Sequence, residues 1–287
     1  MPAAARPRRS VLYMPASNAR AVDKARTLPC DVVILDLEDA VAPDAKAEAR
    51  TLAVDAIRAG GFGSREVVLR VNGLDTPWGR DDLAAARGAG ADAVLVPKVA
   101  SAADVAAYGS AAAGVRLWAM IETCAALFAL DAIGAAAREH RFDVWVAGTN
   151  DLAKELRCRQ DVERASLLAP LSLIVAAARA HGLAVLDGVF NGLDDDAGLG
   201  RQCEQGAAFG FDGKTLIHPR QIEAANRAFA PSADEVAWAR TVVAAFDSPE
   251  NATKGVLRID GRMVERLHLE EARRQIAVSE AIAANGA

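Results

Sequence analysis

Eight short apolar runs, most of them followed by a stretch with helical spacing, constrain the fold of this chain more than any other feature. The runs are rich in Val, Leu and Ile, and Gly or Pro stands at most of the joints. Strands that alternate with helices build parallel sheets, because each helix returns the chain to the same edge of the sheet. Eight such units favour a closed (β/α)8 TIM barrel over an open, doubly wound sheet.

The apolar runs and the helical patterns map onto definite segments. The predicted strands are Val11–Pro15, Val32–Leu37, Val67–Val71, Ala93–Val96, Leu117–Ile121, Val144–Ala147, Ala184–Leu186 and a short eighth strand near Ala208–Phe211. The predicted helices between them are Asp44–Ala59, Arg80–Gly88, Ala102–Ala113, Cys124–Arg138, Glu163–His181 and Asp194–Gln205. The alternation ends near Arg220, which therefore marks the end of the predicted barrel.

The remaining C-terminal residues exceed what a barrel needs. They predict the helices Gln221–Phe229, Ala233–Phe246 and Met263–Ala283, with a loop and short hairpin over Asn251–Gly261. We expect a barrel over residues 1–230 and a C-terminal helical extension over residues 231–287. The pattern is compatible with a lid over the chain's own or a neighbouring subunit's site, with an exchanged arm, or with a plain packing helix.

Composition and charge narrow the class of protein. A length of 287 residues suits one barrel, and 52% hydrophobic residues allow a large core. The net charge of −5 argues against a nucleic-acid surface, which would need a basic patch. The cysteines are scattered without a C-x-x-C pair, so neither a zinc site nor a disulfide framework is predicted. Without a signal-peptide core or a long uncharged apolar run, we expect a soluble, cytoplasmic protein with no membrane partner.

Two of the predicted strands lead into a carboxylate. Glu122 follows Leu117–Ile121, and Asp151 closes the segment that begins with Val144–Ala147. A charge at the end of a buried strand is costly unless a cation neutralises it. Acids in consecutive β-α units converge at one end of a barrel, and oxygen ligands suit Mg²⁺. We therefore predict a Mg²⁺ site at Glu122 and Asp151, and the alternative is that each acid only caps the following helix.

Most of the other predicted strands also end on charged residues. These are Asp36, Glu38 and Asp39 after the second strand, Arg70 in the third, Lys98 after the fourth, Asp187 after the seventh, and Asp212–Thr215 with Ile217–Pro219 around the eighth. Arg70 is the predicted substrate contact, because its planar fork can stabilise an enolate or carboxylate oxygen. Lys98 is predicted to pair with the Asp36–Asp39 acids. His218 is either a site residue or a histidine at a helix start.

Two nucleotide-binding motifs are poorly supported. Gly210–Thr215 echoes a Walker phosphate-binding loop, but position 208, where its first glycine is required, is alanine. No Gly-x-Gly-x-x-Gly segment follows a predicted strand. Neither nucleotide hydrolysis nor a dinucleotide-binding fold is therefore expected.

An ordered series of motifs resembles one family over nearly the whole chain. The motifs are Arg9–Pro15, Asp36–Val41 with Lys46 and Arg50, Leu69–Asn72, Val96–Lys98, Ile121–Glu122, Gly148–Asp151 and Gly213–Pro219. Their order is similar to that of the citrate lyase β-subunit-like (CitE-like) family of the HpcH/HpaI aldolase group, which includes malyl-CoA and citramalyl-CoA lyases. The resemblance is specific to the family and not to a substrate.

The resemblance implies a Mg²⁺-dependent TIM barrel that cleaves or forms a carbon–carbon bond in a 3-hydroxyacyl thioester. It implies metal ligation by Glu122 and Asp151, and a catalytic role for Arg70 at the enolate. It further implies substrate or coenzyme A contacts at Tyr13, Lys24, Arg70, Asn150, His218 and Pro219, and support of the metal and its waters by Asp36, Glu38, Asp39 and Lys98. A homo-oligomer, either a trimer or a hexamer, is also implied.

The lid motif of that family, Asp-Gly-x-Met-x-Asp, is similar to Asp260–Glu265 of this chain. Its last acid reaches a neighbouring subunit's site, so the resemblance implies that Glu265 transfers a proton from one methylene further out. A second departure is Asn18, which stands where some CoA-using relatives have an arginine.

Together these observations predict a lyase that cleaves or condenses malyl-CoA or citramalyl-CoA, with a 2-oxo acid and acetyl-CoA as the other reactants. The alternatives among enzymes are a citrate lyase β subunit acting on an acyl-carrier-protein thioester, an aldolase acting on a free hydroxy-oxo acid, and a malyl-CoA thioesterase. A non-catalytic barrel with a binding role is the alternative from another class. The set of Glu122, Asp151 and Arg70 argues against it.

Overall fold

Eight parallel strands close into a barrel in the computed structural model, which describes residues 6–112, 114–251 and 253–285. Each strand pairs with the next one along the chain, and the eighth pairs with the first. The strands are β1 (Ser10–Pro15), β2 (Val32–Asp36), β3 (Glu66–Arg70), β4 (Ala93–Val96), β5 (Leu117–Ile121), β6 (Phe142–Ala147), β7 (Ala184–Asp187) and β8 (Gly213–Leu216). The predicted TIM barrel is confirmed.

Helices connect the strands of this barrel unit, which spans Arg8–Phe229. They are α1 (Ala19–Ala25), α2 (Lys46–Ala59), α3 (Gly79–Ala89), α4 (Ala102–Ala111), α5 (Cys124–Leu127), α6 (Leu130–Ala137), α7 (Thr149–Leu156), α8 (Leu168–Ala180), α9 (Asp196–Phe209) and α10 (Ile222–Ala228). Among the described residues, no helix is long and apolar enough to cross a membrane.

The predicted eighth strand near Ala208–Phe211 is wrong. Helix α9 continues through Phe209 and ends at Gly210, whose φ of 94° is the left-handed conformation of a helix C-terminus. The strand follows at Gly213, where a Cβ would overlap the Arg8 carbonyl of the adjacent β1 segment. The other predicted strands are confirmed, with ends that differ by a residue or two.

Two predicted helices also need correction, and two observed helices were not predicted. The single helix predicted over Cys124–Arg138 is the pair α5 and α6, and α1 and α7 were not predicted. The helix predicted from Glu163 starts only at Leu168, because Arg164 has a φ of 53°, which is incompatible with a helix. Two positions covered by the predicted segments, Ala113 and position 252, lie outside the described residues.

Alternation along the strands separates two apolar layers. Val11, Ile34, Val68, Trp118 and Leu186 belong to the cluster that fills the barrel interior. The residues between them on each strand belong to a larger cluster shared with the surrounding helices. Because successive side chains of a strand point to opposite faces, a polar residue at a strand end is directed either to the barrel mouth or to the helix layer.

A second compact unit contains the described residues 6, 7 and 230–285. Its elements are α11 (Ala233–Asp247), β9 (Val256–Ile259), β10 (Arg262–Glu265) and α12 (Arg266–Ala284). Strands β9 and β10 form an antiparallel hairpin. Its apolar cluster includes Val242, Leu257, Val264 and Leu269.

The helix predicted over Met263–Ala283 is wrong at its start, because Met263 lies in β10. Asp260 and Gly261 connect the strands with φ values of 47° and 79°. Two successive left-handed residues of this type form the tight turn of a two-residue hairpin. The residues that follow therefore pair with β9 before α12 begins.

We expect Trp118→Ala to lower the free energy of unfolding by about 3–5 kcal/mol, because Trp118 is fully buried in the barrel interior and its removal leaves a cavity. Urea unfolding followed by circular dichroism measures the change. Phe128→Ala is the matched control, since Phe128 is 94% exposed and should change stability by less than about 0.5 kcal/mol. Equal effects of the two substitutions would contradict the interior position of Trp118.

Candidate active site

A cavity of about 340 Å³ lies where the carboxyl ends of the barrel strands meet. Its size suits a small-molecule site, and this end carries the active site in barrels of this architecture. The sequence-predicted residues in its wall are Tyr13, Asp36, Asp39, Arg70, Glu122, Asn150 and Asp151. Strand ends and the loops that follow them thus bring together most of the predicted site.

Arg70 lies among three acids contributed by β2 and the loop after it. Asp36 and Arg70 are paired residues of neighbouring strands, and Arg70 Nε and Nη2 donate to Asp36 Oδ1 and Oδ2 at 2.7 and 2.6 Å. Arg70 Nη1 lies 2.8 Å from Glu38 Oε2 and 3.5 Å from Asp39 Oδ2. Burial alone would lower the pKa of Arg70, but Asp36, Tyr13 and Glu38 outweigh it and raise the pKa. Arg70 therefore remains charged inside the cavity.

The prediction that Lys98 pairs with the Asp36–Asp39 acids is wrong, because Arg70 forms those ion pairs. Lys98 makes no ion pair within 4 Å in the described part of the chain. Its backbone has a φ of 51°, and its N–H donates to Glu122 Oε1 at 2.8 Å. Burial lowers the pKa of Lys98, but Glu38 and Glu122 outweigh this and raise it. Lys98 thus acts through its backbone and through its charge at longer range.

Glu122 directly follows β5 and is only 2% exposed. Gly148 makes room for it, since a Cβ at Gly148 would lie 2.5 Å from Glu122 Oε2. Burial, with the nearby carboxylate of Glu38 as the next cause, raises the pKa of Glu122 to about 8. This carboxyl group is therefore neutral near pH 7 unless a cation stabilises its charged form.

Asp151 lies in the first turn of α7, one residue after Asn150. Asn150 and Asn191 exchange two side-chain hydrogen bonds, of 3.3 and 2.8 Å. The alternative that Glu122 and Asp151 only cap helices does not hold, because the N-cap residues of α5 and α7 are Thr123 and Gly148. Both acids instead belong to the wall of the cavity.

The donor set suits Mg²⁺ better than a metal that needs a complete cage of protein ligands. Among the described residues, no group of three or more His, Cys, Asp or Glu side chains is arranged to hold a metal ion. Mg²⁺ is commonly held by one or two carboxylates and keeps several of its waters. The acids of the cavity outnumber Arg70, and a divalent cation would stabilise the charged form of Glu122. Glu122 and Asp151 therefore fit the implied metal.

Three residues predicted to contact substrate or coenzyme A lie outside the cavity wall. Lys24 is exposed on α1. His218 Nδ1 accepts the Arg220 N–H at 3.2 Å, so His218 begins the short 3₁₀ turn at Pro219. The contacts of His218 in the free protein are thus those of a residue at a helix start. A substrate contact for Lys24, His218 and Pro219 stays a prediction.

Glu265, the predicted proton-transfer residue, is the last residue of β10 in the second unit. Its side chain is half-buried, and its backbone N–H donates to His268 Nδ1 at 2.9 Å at the start of α12. Its predicted catalytic role therefore remains a prediction.

Asp187, Lys214 and Asp212, three of the charged residues at predicted strand ends, do not line this cavity. The side chains of Asp187 in β7 and Lys214 in β8 point outward from the barrel and are buried beneath the helices. Lys214 Nζ lies 2.8 Å from Asp187 Oδ2. Asp212 precedes β8 and therefore lies at the opposite end of the barrel, where it pairs with Arg179. The residue of β8 that lines the cavity is Thr215.

Sequence reasoning missed Lys46 as a support of the site. Lys46 is buried, and its Nζ donates to the carbonyls of Leu37 and Glu38 at 2.8 and 2.7 Å. It thereby fixes the loop that carries Glu38 and Asp39. Its place in the motif that follows the second strand was the available signal, but its buried position depends on the fold of that loop.

Comparisons with known proteins agree on one family. Residues 9–219 match the HpcH/HpaI aldolase/citrate lyase family. A (3S)-malyl-CoA thioesterase from Cereibacter sphaeroides is 50% identical, covering 99% of this chain and 98% of the relative. An L-malyl-CoA/beta-methylmalyl-CoA lyase from the same species is 33% identical, covering 99% and 98%. Among solved structures, CitE from Mycobacterium tuberculosis in complex with magnesium, acetoacetate and coenzyme A matches with a TM-score of 0.77. The two sequences are 30% identical, and the match covers 94% of this chain and 97% of CitE.

In the presence of a chelator, we expect Glu122→Gln to become more stable relative to the wild type as the pH rises from about 5 to about 9. The folded-state pKa of about 8 exceeds the ordinary 4.5, so the stability that protonated Glu122 contributes is complete below the ordinary pKa and is lost as the pH rises through 8. Chemical unfolding at several pH values measures the difference between the two proteins.

Glu235→Gln is the control for this experiment, because hydrogen bonds from Ser232 lower the pKa of Glu235. Its stability difference from the wild type should not grow over the same pH range. A constant difference for Glu122→Gln across this range would contradict the raised pKa of Glu122.

Proposed function

Because the chain belongs to the HpcH/HpaI aldolase/citrate lyase family, we propose that it is a Mg²⁺-dependent enzyme acting on a 3-hydroxyacyl-CoA thioester of the malyl-CoA type. The proposed reaction breaks or forms the carbon–carbon bond between the thioester α-carbon and the hydroxyl-bearing carbon. The supporting observation is the placement of Glu122, Asp151 and Arg70 around one cavity of suitable size. The printed names of a thioesterase and a lyase, both of malyl-CoA, support this substrate class.

Glu122 and Asp151 would hold the Mg²⁺ ion. When bound, such an ion acts as a Lewis acid for the carbonyl and carboxylate oxygens of a 2-oxo acid. Glu122 is oriented for this task before any ligand arrives, because the Lys98 N–H fixes Oε1 and Gly148 leaves space at Oε2. Such fixed donors need little rearrangement on binding.

Arg70 is proposed to stabilise the negative charge that develops on the thioester oxygen of the enolate. Its pKa lies well above the ordinary value, so it remains charged at any working pH. Its two bonds to Asp36 and its contact with the Tyr13 ring, 4.8 Å from the ring centre, hold the guanidinium in one orientation. A fixed charge in a partly dry cavity stabilises a developing anion more strongly than the same charge in water.

A proton must be exchanged at the thioester α-carbon, and Glu265 is the proposed donor and acceptor. A carboxylate positioned at the reacting carbon is a suitable general acid or base. We propose that Glu265 serves the active site of a neighbouring subunit in a homo-oligomer. The half-buried Glu265 side chain in the hairpin that ends at α12 is compatible with this role.

Hydrolysis of malyl-CoA is the second candidate function. The observation that favours it is the 50% identity with a (3S)-malyl-CoA thioesterase over nearly the full length of both chains. The same cavity, metal ligands and substrate class serve both candidates, so the products distinguish them. Carbon–carbon cleavage of malyl-CoA yields glyoxylate and acetyl-CoA, whereas hydrolysis yields malate and free coenzyme A.

We expect Mg²⁺-dependent turnover in a panel of malyl-CoA, citramalyl-CoA and 3-hydroxy-3-methylglutaryl-CoA, with products identified by mass spectrometry. Glu122→Ala should reduce this turnover by at least about 100-fold, because it removes a metal ligand. Asp212→Asn is the control, since it removes a carboxylate at the opposite end of the barrel and should leave turnover within about twofold.

Oxo acid with acyl-CoA would identify the lyase, and free coenzyme A with hydroxy acid would identify the thioesterase. Turnover that is unaffected by Mg²⁺ or by Glu122→Ala would contradict both candidates. An absence of turnover with Mg²⁺ bound would favour an acyl-carrier-protein thioester as the substrate.

We expect Glu265→Gln to lower kcat by about 100-fold with little change in Mg²⁺ affinity, because the proposed general acid is lost while the metal ligands remain. If the residue serves a neighbouring subunit, mixed oligomers of Glu122→Ala and Glu265→Ala should recover part of the activity. Recovery of no activity would contradict a role of Glu265 in a neighbouring subunit's site. Full activity of Glu265→Gln would remove it from the mechanism.

A further inference from the structure

Two buried cations share one acid behind the wall of the cavity. Asp187 and Lys214 are fully buried, and Arg164, in the loop before α8, is 3% exposed. Lys214 Nζ lies 2.8 Å from Asp187 Oδ2, and Arg164 Nη1 lies 2.6 Å from Asp187 Oδ1. One cation would neutralise the acid, and burying a second is unfavourable unless it makes further interactions. The contacts of each cation therefore indicate what it does.

Arg164 ties the loop before α8 to α9. Its Nε donates to Gln205 Oε1 at 2.8 Å, and Gln205 Nε2 donates to the Glu163 carbonyl at 2.8 Å. Arg164 also adopts a left-handed φ of 53°, which is unfavourable for a residue with a side chain and persists only when its contacts hold it. Apart from the ion pair with Asp187, the contacts of Arg164 lie in the loop before α8 and in α9, and these residues do not line the cavity.

Lys214 and Asp187 instead hold Gly188 from both sides. The Gly188 N–H donates to Asp187 Oδ1 at 2.8 Å, and the Gly188 carbonyl accepts from Lys214 Nζ at 2.5 Å. Thr215, in the cavity wall, donates its hydroxyl to the Asp187 carbonyl at 2.9 Å. The peptide groups on both sides of the Gly188 Cα are therefore bound to buried charged groups.

Gly188 packs directly on the start of α7. A Cβ at Gly188 would overlap Thr149 Oγ1 and lie 2.6 Å from the Ala147 carbonyl. Its φ is not positive, so glycine is required here for close approach and not for an unusual backbone conformation. Thr149 is the first residue of α7, and Asp151 lies in the same turn. A displacement of Gly188 would therefore shift the turn that carries Asp151.

We propose that Lys214 is a positioning residue for the metal site, acting through Gly188 on the turn that carries Asp151. Lys214 does not line the cavity, so it takes no direct part in binding or chemistry. Val189, the residue after Gly188, does line the cavity, so the same contact also fixes part of the substrate wall. The inference rests on the proposed function for the role of Asp151 as a ligand, whereas the position of its turn can be measured without a metal.

The pair Lys214→Met and Arg164→Gln tests this inference. Each variant leaves one cation opposite Asp187, so neither leaves that acid without a charged partner. Only Lys214→Met removes the donor to the Gly188 carbonyl. The two variants thus separate the positioning of Gly188 from the general effect of removing a buried charge.

Hydrogen exchange of the Gly148 and Leu152 backbone amides, measured without metal, is the first readout, because these amides donate to the carbonyls of Ile121 and Gly148 at 3.0 Å. We expect at least about tenfold faster exchange in Lys214→Met and a change below about threefold in Arg164→Gln. The second readout is the Kd for Mg²⁺ from calorimetry, which should rise by about tenfold or more in Lys214→Met only. Similar changes in both variants, or wild-type values in a folded Lys214→Met protein, would overturn the proposal.

Gly188→Ala keeps the proposal testable if Lys214→Met does not fold. It leaves all three charges in place and adds one methyl group against Thr149. Gly200→Ala is its control, because a Cβ at Gly200 in α9 meets nothing within 4 Å. Gly188→Ala should accelerate exchange of the Gly148 and Leu152 amides and weaken Mg²⁺ binding, and Gly200→Ala should do neither. Equal behaviour of the two alanine variants would overturn the coupling between Gly188 and α7.

The metal-free exchange measurement also separates this inference from the proposed function. A wild-type protein that binds no Mg²⁺ would refute the proposed metal site. The comparison of exchange rates would still decide whether Lys214 positions the start of α7.

Discussion

The ion pair between Asp36 and Arg70 is the interaction on which the mouth of this barrel depends. Two adjacent parallel strands place the residues side by side, and the bidentate contact fixes both side chains. Arg70 also forms ion pairs with Glu38 and Asp39, so one guanidinium partly neutralises the charge of the acids that follow β2. Glu122 and Asp151 then lack a comparable ion pair among the described residues, and a divalent cation would offset this excess of negative charge.

The sequence predicted the parts of this site that depend on local signals. Glu122 and Asp151 stand out because each is an acid close behind an apolar run, and such a charge is conspicuous without any knowledge of the fold. The Asp260–Gly261 dipeptide is an equally local signal for a hairpin turn. The helix predicted from Met263 did not take into account that a strand must follow this turn. These features needed only the periodicity of strands and the chemistry of turns.

The features that the sequence did not predict depend on contacts between distant segments. The helix does not start at Glu163 as predicted, because the side chain of Arg164 turns inward and pairs with Asp187 at the end of β7. This long-range ion pair overrides local helix propensity. The pairing assigned to Lys98 fails for a similar reason, since a left-handed backbone directs its N–H to Glu122. In each case the decisive partner lies more than twenty residues away along the chain.

The alternation of side chains along a strand divides the charged strand ends into two groups with different tasks. The side chains of Asp36 and Arg70 point into the barrel and lie in the cavity wall. Those of Asp187 and Lys214 point outward and are enclosed by the helix layer. Strict application of this alternation to correctly placed strands would have separated the two groups from sequence alone. The misplaced eighth strand prevented that for Lys214.

Two glycines pack closely at the turn that begins α7. Gly148 leaves space for the Glu122 carboxylate on one side of this turn, and Gly188 lies against Thr149 on the other. The Lys98 N–H and Gly148 therefore orient Glu122 against the turn, while Asp187 and Lys214 bind Gly188, which packs on the turn. A substitution that enlarges either glycine would move Asp151 relative to Glu122. The position of Asp151 relative to Glu122 thus depends on contacts of Gly148 and Gly188 with their neighbours, in which the Asp151 side chain takes no part.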